Sequence, residues 1–261
     1  MTLIVGIKCE NGIVMGADSA VTSITSTGQQ TSMQPARKLN ILSENVIVGF
    51  SGFVGLGQFY IDEIKKLWDT NGLSNICCAD VRVKITNACR NHLHREVDSG
   101  RITKELLGRI PQDEIISSML VALPIQDQSC LIQFTATLAS EEITERVPTV
   151  AIGIGQPIAD PFLGFLRKRF WPEKLPGIAD GKLATYWVLK YSIEFAPGNV
   201  GPPIKIATLE KVDNMWRTCE LSQEELNDLD FMVSDIEKYI QNYKSPPPKN
   251  KIKDIPSPPK T

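Results

Sequence analysis

The sequence predicts an α+β protein in which two antiparallel sheets pack face to face and helix pairs cover their outer faces. Strand segments and helix segments each come in groups along the chain, which is typical of α+β folds and not of alternating βαβ units. The 261 residues, 42% apolar and 22% charged, have a globular composition and are long enough to bury a core without disulfides or metals.

The first half of the chain predicts four strands and then two helices. Residues 3–7 form an apolar run, and Asn11-Gly12 before 13–17 is typical of a hairpin. A loop rich in Ser, Thr and Gln is expected over 22–35. The remaining elements of this half are strands 38–42 and 46–50 and helices 56–69 and 79–97.

The second half predicts strands, a helix pair, strands and a last helix. The strands are 115–123, 130–138, 143–152, 204–209 and 215–221, and the helix pair is 160–170 and 182–195. A capping box from Ser222 to Glu225 predicts the start of the last helix. Apolar residues then recur at helical spacing and predict one buried face: Leu226, Leu229, Val233, Ile236, Ile240 and Tyr243.

Composition divides the chain into a domain, 1–243, and a tail, 244–261. The tail carries six prolines and five lysines and is expected to be disordered with polyproline II character. A net charge of −2 argues against a nucleic-acid partner. No apolar run approaches the roughly 20 residues of a membrane span, and no signal peptide is evident. We therefore expect a cytoplasmic protein without a membrane or nucleic-acid partner.

The cysteines and histidines predict no metal site and no cofactor. The six cysteines form no Cys-x-x-Cys pair, and His92 and His94 point to different faces of a helix. The cysteines are interpreted as small buried apolar residues.

The N-terminus offers a nucleophile and a base on one residue. Removal of Met1, which is usual before a small residue, would give Thr2 a free α-amine. That amine has a reference pKa of about 7.7–8.0 and can act as base for the hydroxyl. Lys38 would lower the cost of an alkoxide, Asp18 would hold Lys38, and the Gly52 N–H would receive an oxyanion.

The hairpin register decides whether Asp18 can reach Thr2. A two-residue Asn11-Gly12 turn pairs Val5 with Asp18 and puts Asp18 on the opposite face from Thr2. A three-residue loop 10–12, with Gly12 left-handed, pairs Ile4 with Asp18 and puts it on the face of Thr2. The catalytic hypothesis requires the longer loop, and the sequence leaves both open.

Four fragments in order resemble the mature proteasome β-subunits, which are N-terminal nucleophile (Ntn) hydrolases. The fragments are 2–18, Asp18-Ser-Ala-Val-Thr22, Arg37-Lys38-Leu39 and Phe50-Ser-Gly-Phe-Val-Gly55. The resemblance spans 2–243 and implies a four-layer αββα sandwich. With nothing but Met1 before Thr2, the chain is more similar to bacterial proteasome relatives than to eukaryotic precursors.

The resemblance also implies roles for particular residues. Thr2 would be the nucleophile, Asp18 and Lys38 its partners and Gly52 the oxyanion donor. Val21 and Phe50 would line the first specificity pocket. Thr22 and Val54 would also contact substrate. The resemblance implies a peptide or unfolded-protein substrate, a homo-oligomeric ring and an ATP-dependent unfoldase as a possible partner.

Two positions depart from the family pattern. The turn Gly153-Ile154-Gly155 lacks the serine that sits against the threonine amine, and 197–201 lacks a second serine, with Val200 in its place. Glu194 and Asn199 are candidates to compensate. Three functions follow: a threonine-type peptide hydrolase, an inactive ring-forming subunit with the same fold, and an Ntn amidase acting on a small amide.

Overall fold

The computed structural model describes residues 2–24, 30–73, 76–107, 117–196 and 200–243. For 21–24, 30–33 and 106–107 it describes the backbone alone. The predicted tail, 244–261, lies outside the described residues, as do Met1 and Asn199.

The first sheet holds the N-terminal hairpin at its centre. Its strand order is β10-β1-β2-β11-β12. The strands are β1 (Leu3–Cys9), β2 (Gly12–Ala17), β10 (Thr149–Gly153), β11 (Lys205–Val212) and β12 (Met215–Glu220). All neighbouring pairs are antiparallel.

The second sheet is an antiparallel meander in the order β5-β6-β7-β8-β9. Its strands are β5 (Leu39–Leu42), β6 (Val46–Gly52), β7 (Ser117–Ile125), β8 (Gln128–Phe134) and β9 (Ser140–Ile143). A separate two-stranded ribbon joins β3 (Ala20–Ile24) to β4 (Gln30–Pro35).

Helices cover the outer faces of both sheets. They are α1 (Val54–Asp69), α2 (Cys78–Leu107), α3 (Gln156–Phe170), α4 (Ile178–Phe195) and α5 (Gln223–Asn242). One apolar cluster joins the first sheet to α3, α4 and α5, and another joins the second sheet to α1 and α2. A third cluster, with Ile4 and Ile47, fills the space between the sheets. The structure is therefore the predicted αββα sandwich.

Alternation along the strands produces these layers. On β1, Leu3, Val5 and Ile7 pack toward the helices while Ile4 packs toward the second sheet. Because both faces are covered, this strand is a continuous apolar run rather than an alternating one.

Two predicted strands had wrong bounds. The run 143–152 is divided: β9 pairs with β8 in the second sheet, and β10 pairs with β1 in the first. Ile143 and Val150 both face the core between the sheets, so the residue types at the two ends of this segment did not reveal the crossing. The run 130–138 also ends early, at Phe134, because Leu138 adopts a φ of 62° in a turn.

The polar loop expected over 22–35 was also wrong in part, because β3 and β4 pair across it. Ladder hydrogen bonds use the backbone and need no apolar side chains, so the composition gave no strand signal. The centre of this loop, 25–29, lies outside the described residues.

The cysteines are not all buried single residues. Cys78, at the start of α2, forms a disulfide with Cys130 of β8, with their Cα atoms 6.7 Å apart. Cys9 and Cys89 are buried, whereas Cys77 and Cys219 are exposed. The packing of α2 on the second sheet brings together residues that are 52 positions apart, which no local spacing reveals.

The capping box of α5 is confirmed. Ser222 Oγ accepts a hydrogen bond from the Glu225 N–H, and the Glu225 carboxylate accepts one from the Ser222 N–H. The predicted buried face is confirmed as far as Ile236 but was wrong at its end. Ile240 is 54% exposed and Tyr243 is 77% exposed, since the end of this helix extends past the core. Among the described helices, none has the length and apolar character that would let it cross a membrane.

Candidate active site

Thr2 lies just before β1, at one end of the sandwich. The alternation of β1 places its side chain on the same face as Ile4, toward the second sheet. Thr2 is buried, with 8% of its surface exposed. The candidate nucleophile therefore faces the mouth of the space between the sheets.

The Asp18 carboxylate is fixed by three backbone donors. Its Oδ1 accepts the Leu3 N–H at 2.8 Å, and its Oδ2 accepts the N–H groups of Ala20 at 3.2 Å and Gly201 at 3.0 Å. Asp18 itself is fully buried. Because the Leu3 nitrogen is bonded to the Thr2 carbonyl carbon, this carboxylate is anchored one peptide group from the candidate nucleophile.

Lys38 forms a buried ion pair with Asp18. Its Nζ donates to Asp18 Oδ1 at 2.7 Å, and Lys38 is 5% exposed. Burial lowers the pKa of Lys38 below its usual 10.5, while the Asp18 charge acts against that change. The predicted pairing of these two side chains is therefore present.

The hairpin register matches neither predicted alternative. Cys9 pairs with Gly12 and Ile4 with Ala17, so the turn is Glu10-Asn11 and the next step of the ladder faces Asp18 with Leu3. Gly12 lies inside β2, and this position requires glycine because a Cβ there would stand 2.1 Å from the Leu209 carbonyl oxygen of β11. The requirement for a longer loop was wrong: Asp18 follows the last residue of β2, where backbone donors and not the ladder orient its carboxylate.

Gly52 ends β6 at the same end of the sandwich. It adopts a φ of 124°, a conformation that side chains disfavour, and pairs with Ser117 of β7. The residue before it, Ser51, has its Oγ 2.8 Å from the position that a Cβ on Gly153 would occupy, and the Thr2 carbonyl oxygen is 2.2 Å from that position. The ends of β6 and β10 thus converge on Thr2.

The structure describes the side chains of two of the four predicted substrate contacts. Phe50 is half-buried and packs against the cluster under α1, with its ring against Gly57. Val54 is 47% exposed at the first residue of α1. Val21 and Thr22 lie in β3, and their side chains are outside the description. Their roles in binding substrate stay predictions.

The two departures from the family pattern have different surroundings. Ile154 is 52% exposed beside Gly153, whereas Val200 is buried in the core beneath the helices. Glu194 lies on α4. Next to Val200, Gly201 contributes its N–H to Asp18.

Sequence reasoning missed Ser51 as a neighbour of the site, and it named the segments that contain Gly153 and Gly201 without giving either glycine a role. Gly201 acts through its backbone, so its residue type carried no signal. Ser51 was inside a fragment that resembled the family, and its position on the face between the sheets, next to Gly52, is the signal that could have identified it.

Two other features of the described residues lie away from Thr2. A cavity of about 890 Å³, lined by Trp68 and Trp216 among others, lies by the β5–β6 turn, at the end of β6 opposite Gly52. The ligand atoms of Cys78, Cys130 and Glu142 lie within 4.8 Å of one another, but the two sulfurs are bonded to each other. Neither feature joins the candidate site.

Comparison with known proteins found one matching family model and several solved structures with a similar fold. A family model described as "Proteasome subunit" matches residues 2–103, a range that contains Thr2, Asp18, Lys38 and Gly52. No curated protein sequence matched the chain.

Three solved structures of Anbu proteins share the fold. An Anbu Gly-1 mutant from Hyphomicrobium sp. strain MC1 is 16% identical, with a TM-score of 0.65 over 93% of this chain and 97% of that one. A helical assembly of the Anbu complex from Pseudomonas aeruginosa is 15% identical, with a TM-score of 0.68 over 98% of both chains. Anbu (ancestral beta-subunit) from Yersinia bercovieri is 13% identical, with a TM-score of 0.68 over 94% and 98%.

The fold is that of the Ntn hydrolases. Within that class, residues 2–103 are similar to proteasome subunits, and the fold is similar to that of the bacterial Anbu proteins over nearly the whole chain.

Proposed function

We propose that the protein is a threonine-type peptide hydrolase whose nucleophile is Thr2, exposed by removal of Met1. The observation that carries this proposal is the buried Lys38–Asp18 pair, joined by a hydrogen bond to the Leu3 N–H. A buried ion pair is weak evidence for stability, so its position one peptide group from a threonine hydroxyl favours a chemical role.

The reaction would proceed through an ester. Thr2 Oγ attacks the peptide carbonyl carbon, and the α-amine accepts the hydroxyl proton. The Gly52 N–H stabilises the oxyanion. The C–N bond then breaks, and the amine returns the proton to the leaving nitrogen. Water attacks the ester, releases the acid and restores the hydroxyl.

Lys38 would act as a fixed positive charge. An ammonium near Thr2 Oγ lowers the cost of the developing alkoxide, and Asp18 holds it in place. Because three backbone N–H groups fix Asp18, the pair needs little reorganisation during the reaction.

Substrate and assembly follow from the same proposal. A peptide would extend along the mouth between the sheets and contact Val21, Thr22, Phe50 and Val54. We further propose a homo-oligomer, because the Pseudomonas aeruginosa relative is described as a helical assembly. An unfoldase partner and a location in the cytoplasm belong to this proposal.

A mass measurement tests the proposal. Purified protein is incubated with an epoxyketone or β-lactone probe, and intact mass is compared with Thr2→Ala. We expect one adduct on protein that lacks Met1, and none on the variant. Retained Met1, or equal labelling of both proteins, would contradict the hydrolase.

A scaffold is the second candidate. Ile154 and Val200 favour it, since both place apolar side chains where the family pattern has hydroxyls. A ring-sized assembly without labelling at Thr2 would support the scaffold. Labelling at Thr2 with turnover of small amides but not of peptides would indicate the amidase.

A further inference from the structure

A serine that no motif singled out lies opposite Thr2. On β6, Ile47 packs into the core between the sheets, while Val48 and Phe50 pack toward α1. Strand alternation therefore points Ser51 into the space between the sheets. Thr2 faces the same space from the other sheet.

Two contacts fix the alignment of these strands. A Cβ on Gly49 would stand 3.1 Å from Ile4 Cδ1, so Ile4 lies directly over Gly49. One pleat further along each strand, Thr2 and Ser51 take the corresponding positions. The surroundings of Gly153 support this placement. A Cβ on Gly153 would lie 2.8 Å from Ser51 Oγ and 2.2 Å from the Thr2 carbonyl oxygen.

We propose that Ser51 is a positioning residue for Thr2, with its hydroxyl oxygen accepting a hydrogen bond from the α-amino group that Met1 removal creates. This inference rests on the proposed function. The neighbouring turn residue, Ile154, has no hydroxyl, and Ser51 is half-buried, so the contact is shielded from water. The hydrogen bond orients the nitrogen toward Thr2 Oγ.

The bond has a defined effect on the amine. An oxygen acceptor stabilises the ammonium more than the neutral amine, because the bond to a charged donor is the stronger one. Ser51 therefore raises the pKa of the α-amine. Its removal lowers that pKa and also releases the nitrogen from its orientation.

The test compares Ser51→Ala and Ser51→Thr with the wild-type protein, and Ser129→Ala is the matched control. Ser129 is also a buried serine of the second sheet, but it lies at the start of β8, beside the β7–β8 turn. The first readout is the rate of β-lactone labelling against pH. We expect Ser51→Ala to reduce the maximal labelling rate about tenfold or more, with little change in the β-lactone concentration that gives half of that rate. The acidic limb of the pH–rate profile of this variant should move to lower pH.

Ser51→Thr keeps the hydroxyl and should restore most of the rate, and Ser129→Ala should match the wild-type protein. If Ser51→Ala labels at the wild-type rate with an unmoved acidic limb, the role of Ser51 is overturned while the hydrolase stands.

A second readout does not depend on activity. Competitive acetylation of the α-amine with acetic anhydride, followed against pH, reports its pKa directly. We expect a lower value in Ser51→Ala than in the wild-type protein or Ser129→Ala. Should the wild-type protein take no probe while this shift is present, the hydrolase fails and the Ser51 contact stands. Equal pKa values, or retained Met1, would overturn the contact itself.

Discussion

Asp18 is the residue on which the geometry of the site depends, because it joins β1, the segment after β2, the segment before β11 and Lys38. We predict that Asp18→Asn lowers the free energy of unfolding by about 3–5 kcal/mol, since it removes the negative charge beside the buried Lys38 ammonium. Denaturant unfolding measures the change. The control is Asp127→Asn, whose carboxylate is 94% exposed in its pair with Lys211 and should cost no more than about 1 kcal/mol. Equal losses in both variants would contradict this account.

The lowered pKa of Lys38 predicts an alkaline limit to activity. In the proposed mechanism the ammonium form is required, so probe labelling of Thr2 should fall at a pH below the 10.5 of an ordinary lysine. The same lowered pKa affects stability in the opposite direction, because it makes the free energy of unfolding rise with pH. Between the folded-state pKa and 10.5 the unfolded chain binds more protons, so the contribution of Lys38 to the free energy of unfolding rises with pH. Labelling rates from pH 7 to 11 test the first statement, and Lys38→Met unfolding against wild type tests the second. A labelling rate that stays level up to pH 10.5 would be inconsistent with the ammonium's role.

Thiol reactivity should separate the cysteines by burial. Desolvation raises the pKa of Cys9 and of Cys89 to about 12, so neither forms appreciable thiolate near pH 8. We predict that iodoacetamide alkylates Cys77 and Cys219 in the native protein, and that Cys9 and Cys89 react only after unfolding. Peptide mass mapping provides the measurement, and rapid native alkylation of Cys9 would show that this layer of the core opens.

At the scale of elements, Gly12 controls how closely β2 approaches β11. We predict that Gly12→Ala destabilises the protein by about 3 kcal/mol or more, because the new Cβ would meet the Leu209 carbonyl oxygen at 2.1 Å and the two strands must separate. Gly164→Ala is the control. Gly164 lies in α3, and nothing lies within 4 Å of the position that a Cβ would take there. This substitution should therefore be neutral or stabilising by up to about 1 kcal/mol. Thermal and denaturant unfolding of both variants decide the matter, and equal stability of the two would refute the close approach.

The elements also show where local patterns are sufficient. The α5 capping box lies within four consecutive residues, so the sequence predicted it correctly. The hairpin turn did not follow its Asn-Gly signal, because the glycine was required by a strand almost 200 residues later and not by the turn. The run 143–152 failed for a similar reason, since apolar residues face the same core from either sheet.

At the scale of the whole molecule, apolar side chains remain on the outer surface of α5. Phe231 and Tyr239 are each 70% exposed, and Tyr243 is 77% exposed. Contiguous exposed apolar groups are typical of contact surfaces, and the rings of Tyr239 and Tyr243 lie 6.3 Å apart. We predict that sedimentation gives a mass that is a multiple of the 28.9 kDa chain, and that Phe231→Asp lowers it. A monomer in both cases would contradict the proposed assembly. The division into a domain, 1–243, and a disordered tail, 244–261, stays a prediction.

The sequence by itself predicted the layer order, the antiparallel sheets and the last helix, and it supplied four candidate site residues, because each of these inferences depends on residue type or on short-range patterns. The tertiary structure decided the hairpin register, the crossing between sheets, the Cys78–Cys130 disulfide and the positions of Ser51 and Gly201. These features depend on contacts between residues far apart in the chain, and Gly201 takes part through its backbone N–H, which nearly every residue type has. The residue type supplies the Asp18 carboxylate, but the N–H groups of Leu3, Ala20 and Gly201 that orient it come together only in the folded chain.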